Sequence, residues 1–103
     1  DEAGRRQLVR IAVLKRRIED VQRVGQRAEE RIQEMGVDQD RLRQNINTLR
    51  SVAGQQERVN QYSETLARQE AEVASVRDRQ AELRRQQDAL QRELNTLMET
   101  LTI

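Results

Sequence analysis

Between residues 11 and 49, apolar or small side chains recur at alternating steps of three and four. The positions are Ile11, Leu14, Ile18, Val21, Gly25, Ala28, Ile32, Met35, Gln39, Leu42, Ile46 and Leu49, with Gln39 the one polar member. A repeat of about 3.5 residues keeps a single stripe of an α-helix turned toward a partner, so this is the a/d seam of a coiled coil. A second seam runs through Val59, Tyr62, Leu66, Gln69, Val73, Val76, Gln80, Leu83, Gln87, Leu90, Leu94, Leu97 and Leu101. The two are out of phase. An unbroken heptad leaving Leu49 would reach Asn60, and the second seam starts one residue early, at Val59. Gly54 lies in the gap, and a helix-interior glycine costs about 1 kcal/mol against alanine.

Folding the chain back at Gly54 sets the seams face to face. Leu49 then meets Val59, Ile46 meets Tyr62, Leu42 meets Leu66, Met35 meets Val73, and Ile32 meets Val76. Toward the open end, Ile18 meets Leu90, Leu14 meets Leu94, and Ile11 meets Leu97. The centre of this mirror is the glycine itself. Small positions also fall opposite large ones, Gly25 by Leu83 and Ala28 by Gln80, as interdigitated packing favours. The pattern predicts an all-α fold, a long antiparallel two-helix coiled-coil hairpin with its turn near residues 51–56. Arm one is expected at about residues 5–50 and arm two at about 57–101. At 1.5 Å per residue each arm would be roughly 65 to 70 Å long. Gly36, before Val37 and Asp38, is a competing break, but the seam passes it without a change of phase and only a kink or local irregularity is expected. Gly4 is expected to mark a frayed start. The competing architecture is one continuous helix forming a parallel dimeric coiled coil.

Composition agrees with a helical rod. The chain of 103 residues is 36% charged and lacks Pro, Cys, His, Trp and Phe; with Tyr62 as its sole aromatic it has few of the bulky side chains that fill a globular core. The bases number 19 and the acids 18, a net charge of +1 that supplies no overall field for polyanions. The longest apolar run, Ile11-Ala12-Val13-Leu14, is far too short to span a bilayer. The absence of an initiator Met leads to the expectation of a single hairpin taken from a larger protein.

Candidate sites are few. Gln39 and Gln69 mirror one another and are expected to share a buried polar layer, their amides able to bond across it, lowering stability while penalising shifted pairings. Tyr62 is expected to cap the core near the turn with its hydroxyl at the rim. On the flanks Arg17 can pair with Glu93 and Glu29 with Arg77, whereas Arg31 with Arg79 and Asp38 with Glu72 are like-signed. Exposed pairs contribute only about 0.2 to 1 kcal/mol each. Arg5, Arg6, Arg10, Lys15, Arg16 and Arg17 form a basic cluster with no acid from Ala3 to Ile18. Of these, Arg5, Arg6, Arg10, Arg16 and Arg17 are candidate contacts to a partner or, in the alternative reading, to nucleic acid or a membrane. No interleaved aromatics support base stacking, and no specific nucleic-acid partner is expected. Leu8, Val9, Val13 and Met98 lie off the seam and form a candidate self-association surface, for a second copy or for an adjacent domain.

Without His or Cys, and with serines lacking a candidate base, the chain is expected to be non-catalytic and to need no cofactor or metal. The string Asp38-Gln39-Asp40-Arg41-Leu42-Arg43-Gln44-Asn45-Ile46, with Tyr62, Leu66, Gln69 and Glu70 beyond the turn, resembles the helical tail of bacterial mucoidy-inhibitor-A-like proteins. The resemblance covers about residues 8–101. It implies a segment following a β-rich domain, with a scaffold or envelope-related role, and carries over no catalytic residue. The expected function is that of a spacer, assembly stalk or docking element in a larger bacterial protein.

Overall fold

Helix-forming Arg, Gln, Glu, Leu and Ala dominate both arms, and no proline interrupts them. The computed structural model describes residues 1–102. It contains two helices, α1 (Glu2–Arg50) and α2 (Gln56–Thr102), and no strand among the described residues. The helices pack against each other antiparallel, as a hairpin. Along each of them, Asp or Glu three residues ahead of Arg forms surface ion pairs: Asp20 with Arg23, Asp38 with Arg41, Asp40 with Arg43, and Glu82 with Arg85. These support the local helix without bearing on topology.

The turn occupies residues 51–55. Arg50 ends α1 with a cation beside the exposed carbonyls, and Glu57 places an anion in the first turn of α2, both favourable to the helix dipoles. The Val52 amide donates to the Leu49 carbonyl at 3.0 Å, and the Ser51 hydroxyl donates to Thr48 at 3.4 Å. Gly54 then takes a φ of 79°, the left-handed region in which a Cβ would crowd the backbone. The Val59 amide donates to the Gln55 carbonyl at 3.0 Å, beginning the α2 ladder. The one-residue phase slip is therefore the signature of this short αα-hairpin connection.

Contacts divide the chain into two compact units, one of Asp1–Arg27 with Gln80–Ile103, the other of Ala28–Arg79. In the first unit Ile11, Leu14, Ile18 and Leu94 form a buried cluster, with Leu90 and Leu97 packed against it; Leu14 is only 1% exposed. Leu83 is buried as well. The second unit buries Met35, Leu42, Ile46 and Val59, with Leu49, Tyr62, Leu66, Val73 and Val76 half-buried around them. Its arms are also joined laterally, Arg31 to Glu72 at 2.9 Å and Arg43 to Glu70 at 3.8 Å.

Three sequence expectations change. Leu101, assigned to the seam, is 38% exposed, because its mirror position is the polar Gln7, which offers no apolar surface to cover it. Helix α1 starts at Glu2, ahead of the expected residue 5: the Asp1 carboxylate accepts from the Gly4 amide at 2.6 Å, so Gly4 lies inside a capped first turn. At Gly36, by contrast, the helix runs on without a loop, in keeping with the unbroken phase of the seam. Gly25 is not a tight seat for Leu83, since a Cβ built there meets nothing within 4 Å.

Candidate functional site

The apolar residues left off the seam separate into two surfaces. In heptad terms Leu8 and Met98 both occupy e positions, and both are exposed, at 61% and 44%. Val9 and Val13 fall instead at f and c. They line a shallow groove of about 320 Å³ together with Arg6, Arg10, Leu14 and Arg17. Of the four residues read from the sequence as one self-association surface, Val9 and Val13 line this groove and Leu8 and Met98 do not. Arg6, Arg10 and Arg17 join the groove, while Arg5 and Arg16 are exposed on α1 and do not line it. Val24, Val37 and Val52 are also exposed, each apart from these pairs in sequence.

Ion pairs between the arms follow the seam. Arg10 and Glu93, like Arg31 and Glu72, occupy g positions on both helices, and Arg43 and Glu70 occupy e positions on both. Like-lettered flanks face each other only when the helices run antiparallel. Arg10 and Arg17 both stand at g, and Glu93 pairs with Arg10 and not with Arg17. The expected Asp38–Glu72 repulsion is relieved locally: Arg31 reaches Glu72, and Arg41 reaches Asp38 at 2.9 Å. The Glu72 hydrogen bond, and then its charge, push the Arg31 guanidinium further above its ordinary pKa. A raised cation pKa contributes stability below its unfolded value that is lost only as pH rises through the folded value, so the Arg31 guanidinium keeps its charge throughout the neutral range.

Gln39 and Gln69 are both half-buried, but their amides do not bond to each other. Gln69 Nε2 donates to Asp38 Oδ2 at 3.3 Å, and Gln69 Oε1 is buried without a partner. Asp38 was legible in the sequence only as a flank charge, one residue before Gln39. The groove was also missed, although Arg6 with Arg10 and Val9 with Val13 each stand at the i,i+4 spacing that places side chains on one helix face.

Among the described residues no helix is long and apolar enough to cross a membrane. No group of three or more Asp, Glu, His or Cys gathers there as a metal site would. No family model, curated protein or solved structure matches the chain.

Proposed function

We propose that this hairpin is a non-catalytic structural and protein-interaction element of a larger bacterial protein, a spacer, stalk or docking arm that engages its partner at the open end. The observation that supports this reading is the distribution of apolar side chains. The seam holds the two arms to each other, yet Leu8, Val9, Val13 and Met98 remain exposed in the unit that contains both outer helix ends. An apolar face wider than an a/d stripe is the pattern of a helix that packs on more than one neighbour. The resemblance to the helical tail of mucoidy-inhibitor-A-like proteins supports the same reading and suggests an adjacent β-rich domain as one such neighbour.

A second copy is the other neighbour, seated on the flank of Leu8 and Met98. Sedimentation equilibrium of the chain should show a concentration-dependent dimer, and Leu8→Glu with Met98→Glu should yield a monomer of unchanged helicity. A chain that stays monomeric at high micromolar concentration would sink the self-association.

A further inference from the structure

The groove on α1 of the first unit combines two chemistries that the hairpin leaves unsatisfied. Its floor is apolar, with Val9 and Val13 one helical turn apart beside the buried Leu14. Along one side stand the guanidinium arms of Arg6, Arg10 and Arg17. Arg10 reaches Glu93, and Arg6 Nε donates to the Glu2 carbonyl at 3.5 Å, a neutral acceptor. Arg17 has no ion pair among the described residues, and α1 carries no acid from Ala3 to Ile18. We propose that this groove is the docking site of an acidic amphipathic helix, its apolar residues seated on Val9 and Val13 and its carboxylates on Arg6 and Arg17.

Three features of the groove favour that partner. The cations at 6 and 17 stand on one side of the valines, with Arg10 between them paired to Glu93, so carboxylates on one face of a second helix can meet Arg6 and Arg17 in succession. Guanidinium groups bind carboxylates in bidentate geometry, which adds orientation to charge. The apolar strip is a pair of valines flanked on one side by arginines, the width of one ridge of side chains. An interfacial membrane helix presents a broader face with larger residues, and phosphates of nucleic acid would leave the valines uncovered. A second copy in the same groove fits worse, because two-fold packing sets Arg6, Arg10 and Arg17 against themselves.

The inference rests on the reading of the hairpin as an interaction element, but not on self-association through Leu8 and Met98. Its test uses a fluorescein-labelled helical peptide of about three heptads with Leu at a and d and Glu at e and g, beside a counterpart with Lys in place of Glu. Anisotropy titrations at about 0.15 M salt should show the Glu peptide binding at least ~10-fold tighter than the Lys peptide. Arg6→Glu with Arg17→Glu should reverse that preference, and Val9→Asp with Val13→Asp should abolish binding of the Glu peptide, with circular dichroism unchanged in both. The Leu8→Glu, Met98→Glu monomer should discriminate between the peptides as the parent does, which separates this groove from the dimer surface. Equal affinity for the two peptides, or Glu-peptide binding indifferent to the arginine reversals, would overturn the proposal. So would tighter binding to phosphatidylserine vesicles than to the Glu peptide, lost in the same variants, which would assign the groove to a lipid surface.

Discussion

Gly54 and Gly25 are the same residue type under opposite constraints. At Gly54 the φ of 79° demands a residue without a Cβ, so Gly54→Ala should destabilise the hairpin by about 1 to 2 kcal/mol. At Gly25 the backbone is helical and the space for a Cβ is open, so Gly25→Ala should stabilise it by about 0.5 to 1 kcal/mol. Urea melts followed by circular dichroism measure both, and a Gly25→Ala protein that melts earlier would show that Leu83 needs the gap. Gln69 presents a different local imbalance. Its Oε1 has no partner, so Gln69→Leu combined with Gln39→Leu should raise the melting temperature, since an orphaned acceptor disappears and apolar area is buried. The cost is the bond to Asp38, which keeps Arg41 as a partner. A double variant that melts below the parent would show that the amide layer is a net stabiliser.

At the scale of the helices, much was legible because period and phase are properties of the chain alone. Every seam position from Ile11 to Leu97 is buried or half-buried, including the polar Gln39, Gln69, Gln80 and Gln87. The turn was legible because the slip coincided with a glycine, and residues 51–55 are where the helices part. What escaped the pattern was side-chain reach. Arginine has enough rotatable bonds to choose among several carboxylates, so Glu93 took Arg10 over Arg17 and Glu72 took Arg31. The start of α1 escaped too, since one carboxylate cap can extend a helix by a turn. Because the chain lacks cysteine, the seam can be tested covalently: Ile32→Cys with Val76→Cys, both half-buried in the second unit, should close an intramolecular disulfide on mild oxidation. Disulfide-linked dimers as the main product would instead support the parallel coiled coil.

For the molecule as a whole, the near-neutral charge conceals an uneven distribution, with six bases and no acid between Ala3 and Ile18. Net charge of +1 therefore says little about its surface; the placement of Arg6, Arg10 and Arg17 beside exposed valines says more. The turn at Gly54 has a consequence of another kind, in time. The layer of Leu49 and Val59 closes the shortest loop in the hairpin, whereas the cluster of Ile11, Leu14, Ile18 and Leu94 joins opposite ends of the chain. Chain-closure entropy favours the short loop as the nucleus, so folding should spread outward from the turn and reach the cluster at the open end last. Leu14→Ala, expected to cost about 2 to 5 kcal/mol, should then speed unfolding with little effect on the folding rate, while Val59→Ala should slow folding. Stopped-flow chevrons would decide the order, and a Leu14→Ala variant whose folding slows in proportion to its lost stability would reverse it. The residues that close the open end would thus govern how long the hairpin stays folded, and those beside the glycine how soon it forms.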